Sequence, residues 1–286
     1  MTQTVIPTAS FKSKAREALS DPALQQAMDR AKDGFVGARR IVTEELMEFD
    51  SLRDAARDIK DHVLNHLDLY LEHYERKTVE NGGHVHWAKT TEEACQIIKK
   101  ICLDTDAQLV AKGKSMVSEE MGLNSVLEEA GIEVAETDLG EYIIQLAGEL
   151  PSHIIAPAIH KTREQITELF YENHSHHGFP ARVTRREAIV NEARSVLRSV
   201  FARADVGITG ANFLVAESGT NVIVTNEGNG DLSSTLPRVQ IITAGIEKVI
   251  PSLDDLSTFL RILGRSATGQ EMSAYTTLYS GPRREK

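Results

Sequence analysis

Two lysines flank a glycine immediately before a predicted helix, in the segment Lys112-Gly113-Lys114-Ser115. A glycine turn, the N–H groups at the start of a helix and two ammonium groups together attract anions. The segment is similar to the end of a phosphate-binding P-loop, but Gln108 stands where the leading glycine of that motif belongs. We expect Lys112, Lys114 and Ser115 to bind a carboxylate or phosphate. The alternative is an ordinary strand–helix turn with solvated lysines.

A second polar segment, Glu136-Thr137-Asp138-Leu139-Gly140-Glu141, carries three carboxylates. One interpretation is helix capping, in which Asp138 begins a helix and Glu141 lies three residues further on. The other is acid–base catalysis or hydrogen bonding to ligand hydroxyl groups by Thr137, Asp138 and Glu141. Both interpretations place the segment between a strand and a helix.

His160 follows Pro157, where a predicted strand ends. Histidine changes its charge near neutral pH, so we expect His160 to act as a general acid or base. His174, His176 and His177 are interpreted as part of a solvated loop, because a metal site needs convergent ligands. The sequence predicts no metal site.

Glycines and small residues concentrate in 207–220 and in 225–230, together with polar side chains. Tight turns with positive φ would account for the glycines but not for the acidic and amide residues. We therefore expect a binding site here, formed by loops. Its expected members are Thr209, Asn212, Glu217, Thr220, Asn226, Glu227 and Asn229. A functional site predicts that these side chains converge on one cleft facing Lys114 and His160, where a carboxylate without a buried partner has a raised pKa.

Hydrophobic periodicity indicates which elements position these residues. Residues 10–80 repeat apolar positions at helical spacing and predict a helical segment, broken near Gly34 and Gly37. After residue 83, β-prone runs alternate with helical patterns, which predicts an α/β fold with a mostly parallel sheet flanked by helices. The predicted strands are 84–88, 108–111, 132–135, 153–156, 213–216, 222–225 and 239–243. Predicted helix starts are Asp21-Pro22, Thr162 with Gln165, Thr184 with Glu187, and Pro251-Ser252. Ligands of such sheets bind beyond the carboxyl ends of the strands.

Composition limits the possible functions of the 286-residue chain. It has 32 Lys and Arg against 42 Asp and Glu, a net charge of −10, and an acidic surface disfavours a nucleic-acid partner. Its apolar runs are far shorter than the roughly 18 residues of a membrane span, and its first residues do not form a signal peptide. We expect a cytoplasmic protein.

The two cysteines, Cys95 and Cys102, lie seven positions apart in a predicted helix, and the sequence contains no Cys-x-x-Cys pair. Seven residues of helix separate them by roughly 10 Å along one face, too far for a disulfide. Conventional iron–sulfur and zinc-ribbon sites need more cysteines at closer spacing. We expect no cofactor in this chain and interpret both thiols as buried.

Five segments resemble, in order, the lactate utilization protein B family, a bacterial iron–sulfur family of lactate oxidation. They are Lys114-Ser-Met-Val-Ser-Glu-Glu120, Gly131-Ile-Glu-Val-Ala-Glu-Thr-Asp-Leu-Gly-Glu-Tyr142, Gly207-Ile-Thr-Gly-Ala-Asn-Phe213, Thr225-Asn-Glu-Gly-Asn229 and Gly245-Ile-Glu-Lys248. The resemblance runs from about Ala38 to Arg284 and implies a LUD domain, whose fold is similar to ribose-phosphate isomerases and CoA transferases. With the periodicity it gives three regions: 1–80 helical, 81–265 the LUD α/β domain, and 266–286 a C-terminal tail.

The resemblance also implies a function. Family members continue past a Gly-Pro-Arg segment into a ferredoxin-like region with two [4Fe–4S] clusters and electron-transfer function, whereas this sequence ends at Lys286. Either the sequence is a piece of a longer protein or the protein naturally lacks that half. The expected function is the LUD-domain part of a multi-subunit complex that oxidises L-lactate to pyruvate. Its expected partners are the other subunits and a small carboxylate or phosphate ligand, and the chain alone is expected to be inactive in redox chemistry.

Two alternatives remain open. Class I CoA transferases use a glutamate nucleophile in a Glu-x-Gly context, and Glu217-Ser218-Gly219 is similar. The chain is then a self-contained enzyme of the CoA-transferase-like or phosphosugar-processing class, acting through Glu217. The third possibility is a scaffold that docks neighbouring subunits.

Overall fold

The computed structural model describes residues 11–152 and 156–283. Its helices are α1 (Phe11–Ser20), α2 (Pro22–Glu44), α3 (Phe49–Asn65), α4 (Leu67–Glu80), α5 (Thr91–Asp104), α6 (Met116–Glu120), α7 (Leu123–Glu128), α8 (Leu139–Ala147), α9 (Arg163–His174), α10 (Arg186–Arg203), α11 (Asn229–Thr235) and α12 (Leu253–Thr268). Its strands are β1 (Leu109–Lys112), β2 (Glu133–Glu136), β3 (Val206–Gly210), β4 (Phe213–Val215), β5 (Thr220–Thr225), β6 (Val239–Thr243), β7 (Val249–Ile250) and β8 (Tyr275–Tyr279).

The described residues divide into two compact units. The first unit comprises 11–31, 98–209 and 229–241, and the second comprises 32–97, 210–228 and 242–283. Each unit is therefore assembled from separate stretches of the chain.

The first sheet is all parallel and has the strand order β2-β1-β3-β6. The pairing of β1 with β2 runs from Leu109 opposite Glu133 to Lys112 opposite Glu136. Every residue of β1 is buried, as is typical of a central parallel strand with helices on both faces. The buried core beside this sheet contains Leu109, Ala111, Ala135, Tyr142, Ile143, Phe170, Ile189, Ala193, Val196, Leu197, Val200 and Phe201.

Gly207 allows a helix to approach the first sheet closely. A Cβ at this position in β3 would lie 1.7 Å from the carbonyl oxygen of Ser233 in α11. Only a residue without a side chain fits this contact. The loop interpretation of the glycine-rich stretch is therefore wrong for 207–210, which belong to β3, whereas the predicted strand 213–216 is confirmed as β4 over 213–215.

The second sheet has the order β7-β4-β5-β8. Strand β5 pairs antiparallel with β4 and with β8, whereas β4 pairs parallel with β7. Helices α3 and α12 contact each other in this unit, and the rings of Phe213 and Phe259 lie 5.1 Å apart in its core. Its buried core contains Ala56, Phe213, Val215, Val222, Ile250, Leu256 and Phe259.

Several predicted helix starts are confirmed. Asp21 accepts a hydrogen bond from the backbone of α2, Ser252 caps α12, and Thr162 with Gln165 forms a capping box on α9. The predicted box at Thr184 is wrong, because α10 begins at Arg186 without a side-chain cap. The predicted break near Gly34 and Gly37 is also wrong, since α2 continues through both glycines.

The predicted fold class is confirmed: helices flank a parallel sheet, and 11–80 is helical apart from short connections. The run 84–88 is not a strand, and the predicted strand 153–156 lies largely outside the described residues. The domain boundaries after residues 80 and 265 stay predictions. Strand β8 lies within the predicted tail and completes the second sheet. Within the described residues, no helix combines the length and apolar character needed to span a membrane.

Candidate functional site

The ends of β1 and β2 hold a buried ion pair. Lys112 and Glu136 are partners in the strand register, and Lys112 Nζ lies 2.6 Å from Glu136 Oε1 with side chains 0% and 5% exposed. Asn124 Nδ2 donates to the same carboxylate oxygen at 2.7 Å. A buried ammonium is tolerated when it has such a partner, so Lys112 is engaged inside the first unit.

Hydrogen bonds fix the three strand ends around this pair. Thr137 Oγ1 donates to the backbone oxygen of Lys112 at 2.9 Å and lies 3.1 Å from Ser233 Oγ. The backbone N–H of Gly113 donates to the oxygen of Ile208 in β3 at 2.8 Å. Because β1, β2 and β3 are connected here, the polar side chains after them have defined positions.

Glu141 lies in the first turn of α8 and is buried. Lys114 Nζ is 3.9 Å from its Oε1, and the Lys114 side chain is 25% exposed. Burial raises the pKa of Glu141 to about 8, and the carboxyls of Glu119 and Glu136 act in the same direction while Lys114 opposes them. A carboxyl with this pKa holds its proton at neutral pH and releases it slightly above, which suits proton transfer.

Several buried oxygen atoms of this cluster accept no hydrogen bond from the described residues. They are Glu136 Oε2, Glu141 Oε1 and Asn124 Oδ1. Buried acceptors without donors are costly. These residues, Lys112, Lys114, Glu119, Asn124, Glu136, Thr137 and Glu141, are here called the strand-end cluster.

Ser115 and Asp138 begin the two helices beside the cluster. Ser115 Oγ accepts from the backbone of Ser118 in α6 at 3.3 Å, and Asp138 Oδ1 accepts from Gly140 and Glu141 at 3.0 and 3.3 Å. The capping interpretation of Asp138 is thus confirmed. Ligand binding by either residue stays a prediction.

His160 lies in a polar turn of the first unit. Its Nδ1 is 2.6 Å from Ser152 Oγ and its Nε2 is 2.9 Å from Glu149 Oε2. The predicted acid–base role of His160 stays a prediction. The structure shows that Ser152 and Glu149 are its hydrogen-bond partners.

Asn212 and Glu217 hold backbone groups of the second unit. Asn212 Oδ1 accepts from the Val224 N–H, and Glu217 Oε1 accepts from the Leu253 N–H at the start of α12, each at 2.8 Å. These contacts are those that a structural role predicts. Catalysis by Glu217 stays a prediction.

The other polar residues of these segments also make local contacts. Asn226 accepts from the Ala274 N–H at 3.0 Å and Glu227 accepts from the Asn226 N–H at 3.2 Å. Thr220 Oγ1 lies 2.7 Å from Ser280 Oγ. Asn229 begins α11.

The expected site residues thus fall into two groups. Lys112, Lys114, Thr137 and Glu141 come together in the strand-end cluster, and Thr209 is buried in β3 of the same unit. The second unit holds Asn212, Glu217, Thr220, Asn226 and Glu227. Sequence reasoning missed Glu119, Asn124 and Ser233, because each contributes one polar side chain from a helix and no motif marks it.

His174 corrects the solvated-loop interpretation. It ends α9 and is fully buried, with Nε2 2.9 Å from the Tyr142 hydroxyl and Nδ1 2.9 Å from Glu192 Oε1. Of the three histidines of this segment, His176 and His177 are exposed, as the solvated-loop interpretation expected. The ring of Phe170 packs against this network, with its centroid 4.4 Å from that of His174.

The described cysteines do not fit an iron–sulfur cluster. Cys95 and Cys102 are free and buried along α5, and burial raises the pKa of Cys102 to about 11. A cubane cluster needs four thiolate ligands. In the part of the chain that the structure describes, no group of three or more His, Cys, Asp or Glu side chains could hold a metal ion.

Comparison with known families gives a match over most of the chain. Residues 71–286 match the model of the LUD domain. No solved structure matches the chain significantly.

Curated relatives match almost the whole chain. It is 43% identical over 281 residues to lactate utilization protein B of Bacillus velezensis, and 41% identical over 281 residues to the protein of that name from Bacillus subtilis. An uncharacterized electron transport protein, YkgF of Escherichia coli, is 41% identical over 273 residues. These alignments cover 96–98% of this chain and 57–58% of the relatives, so the chain spans little more than half of their length.

Proposed function

Because the chain belongs to the LUD domain family, we propose that it is the LUD-domain part of a lactate-utilisation protein. In this proposal it supports the oxidation of L-lactate to pyruvate, and its strand-end cluster binds the substrate. The match to the LUD domain together with the names of the relatives carries the proposal, and the buried Glu141 beside the partly exposed Lys114 is the candidate site.

The names of the relatives support this assignment. Two are lactate utilization proteins, and a third is an electron transport protein. Removal of two electrons from lactate requires an acceptor, and iron–sulfur clusters in partner subunits or in a region beyond this chain are the acceptor class that we propose. No step of that transfer is assigned to residues of this chain.

The chemistry of lactate fits the charges of the strand-end cluster. Lactate carries a carboxylate and a neighbouring hydroxyl group. Lys114 offers an ammonium for the carboxylate, and Glu141 offers a buried carboxyl oxygen for the hydroxyl. Charge-assisted hydrogen bonds of this kind contribute about 1.5–3 kcal/mol each. Lys112 forms an ion pair with Glu136. Its role in this proposal is to fix the Glu136 carboxylate rather than to bind the substrate.

Glu141 then has a defined role in the oxidation. As a carboxylate it accepts the hydroxyl proton of L-lactate. The two electrons pass one at a time to the iron–sulfur acceptors, the proton from the α-carbon is released to water, and pyruvate remains. Because the base form predominates above pH 8, oxidation should become faster as pH rises through that value.

The test is lactate oxidation by the full-length protein assembled with its partner subunits. Glu141→Gln should lower the rate by roughly 10²-fold or more, since it removes the base, and should abolish the rise near pH 8. Glu128→Gln, which changes an exposed glutamate, is the matched control and should keep both the wild-type rate and the rise in rate near pH 8. An unchanged rate and pH profile in Glu141→Gln would reject Glu141 as the base.

A further inference from the structure

The turn after α8 connects three side chains of the first unit by hydrogen bonds. Ser152 Oγ lies 2.6 Å from His160 Nδ1, and His160 Nε2 lies 2.9 Å from Glu149 Oε2. A hydroxyl, an imidazole and a carboxylate in this order form the arrangement in which a serine becomes nucleophilic.

The partners of His160 determine where its proton lies. A carboxylate only accepts hydrogen bonds, so the nitrogen facing Glu149 carries the hydrogen and Nδ1 of the neutral ring is an acceptor. Ser152 therefore donates its hydroxyl hydrogen to Nδ1. Its other acceptor, the backbone oxygen of Pro157, is 3.1 Å away, which is the longer of the two contacts.

Glu149 is fixed as a charged group. The Lys161 ammonium contacts its Oε1 while His160 contacts its Oε2. Burial alone would raise the pKa of Glu149, but the hydrogen bonds from Lys161 and His160 outweigh burial and lower it. The carboxylate is thus ionised at neutral pH and orients the imidazole ring.

Glu149 and Lys161 also line a groove of about 530 Å³, whose described lining residues do not include Ser152 or His160. On its wall Arg182 is held in place, because its Nε donates to both oxygens of Glu168 at 2.7 and 3.0 Å and its guanidinium stacks 3.7 Å from the Tyr171 ring. The groove is lined by four glutamates and three cationic side chains together with aliphatic groups.

We propose that Ser152 is the nucleophile of an acyl-transfer site for esters of small carboxylic acids. His160 is its base and Glu149 is the positioning residue. Ser152 Oγ attacks the ester carbonyl carbon while its proton passes to His160 Nδ1. The ester C–O bond then breaks, His160 returns the proton to the departing alcohol, and the acyl group remains on Ser152. Water attacks this acyl-serine in the same way and releases the acid and the free serine.

This activity shares no residue with the strand-end cluster. Failure of the lactate proposal would therefore not affect the acyl-transfer proposal, and failure of the acyl-transfer proposal would not affect the lactate proposal.

A fluorophosphonate probe tests the nucleophile directly, because it forms a covalent bond with activated serines. The purified chain is incubated with the probe, and the modified residue is located by peptide mass spectrometry. We expect a single adduct on Ser152 that is lost in Ser152→Ala and kept in Ser195→Ala, which removes an exposed helix serine. Absence of an adduct on Ser152 would overturn the proposal.

Hydrolysis of p-nitrophenyl acetate tests the two supporting residues. His160→Gln should lower the rate of hydrolysis and of probe labelling by roughly 10²-fold or more, as loss of a general base does. Glu149→Gln should lower kcat with little change in KM, whereas Glu128→Gln, an exposed glutamate outside the groove, should match the wild type. If Ser152→Ala fails to fold, the adduct on the wild type and the His160→Gln rate decide the matter. Equal labelling of wild type and His160→Gln would show that the contacts only stabilise the turn.

Discussion

Glu141 is buried beside two other carboxyls, and its pKa of about 8 makes stability depend on pH. The unfolded chain releases this proton near the ordinary value of 4.5, whereas the folded chain holds it up to about 8. The folded state therefore binds more protons between these values. Its free energy of unfolding falls with rising pH across this window, by up to about 1.4 kcal/mol per pH unit for one group.

The first prediction is that Glu141→Gln removes this dependence. The amide has no charge to bury, so the variant should gain stability relative to the wild type as pH rises from about 5 to 8. Urea denaturation at several pH values measures the difference, with the exposed Glu128→Gln as control. If the difference in the free energy of unfolding between wild type and Glu141→Gln is the same at every pH from about 5 to 8, the pKa of Glu141 is not raised.

The second prediction concerns the buried pair of Lys112 and Glu136. Lys112→Met leaves the Glu136 charge without its cation, which should cost about 3–5 kcal/mol. The double variant Lys112→Met, Glu136→Leu removes both charges and should recover much of that loss. Denaturation of the four proteins in a double-mutant cycle measures it. A double variant that loses the sum of the two single effects would show that the pair does not interact.

Sequence reasoning located Lys112, Lys114, Thr137 and Glu141 because they follow β-prone runs. It did not reveal that Lys112 forms a buried ion pair with Glu136, since most lysines are exposed to solvent and no local pattern marks the exceptions. Nor did it find Glu119, because a single glutamate in a helix has no local pattern that marks it. Side-chain burial is decided by contacts distant in sequence.

At the scale of elements, the contact between Gly207 in β3 and the Ser233 carbonyl of α11 gives the third prediction. Gly207→Ala places a Cβ 1.7 Å from a backbone oxygen that cannot rotate away. Strand and helix must separate, so we expect a loss of several kcal/mol, larger than the roughly 1–3 kcal/mol typical of core overpacking. Chemical denaturation measures this loss.

Gly34→Ala is the matched control. Gly34 lies inside α2 with open space where a Cβ would be, and alanine favours a helix interior over glycine by about 0.8–1.0 kcal/mol. The variant should be as stable as the wild type or more so. If Gly207→Ala is as stable to denaturation as Gly34→Ala, the packing of α11 on the first sheet does not require the close contact between β3 and α11.

The predictable elements are those with strong local signals. Helices α9 and α12 begin at caps that the sequence shows, and strands β1 and β2 follow from short apolar runs. Strand β3 was not predicted because its two glycines are typical of turns, and pairing with β1 overrides that preference. The antiparallel pairing of β8 with β5 joins residues about 50 positions apart and has no local signature.

For the whole molecule, family membership and site geometry support one account. The chain belongs to the LUD domain family and spans little more than half of the curated relatives. Its first unit carries a strand-end cluster with one partly exposed lysine and a carboxyl that titrates near pH 8. We propose that this cluster recognises a 2-hydroxy acid, in which Lys114 binds the carboxylate and Glu141 binds the hydroxyl group.

Calorimetric titration of the purified chain with L-lactate and with propionate, which lacks the hydroxyl group, tests this claim most directly. The wild type should bind L-lactate more tightly than propionate by roughly tenfold, about the value of one hydrogen bond in a buried site. Lys114→Ala should weaken the binding of both acids, and Glu141→Gln should reduce the preference for L-lactate over propionate. The exposed Lys89→Ala should leave the affinities and the preference unchanged. If the wild type binds both acids equally, or if Glu141→Gln keeps the full preference, the strand-end cluster does not read the hydroxyl group and the account is wrong.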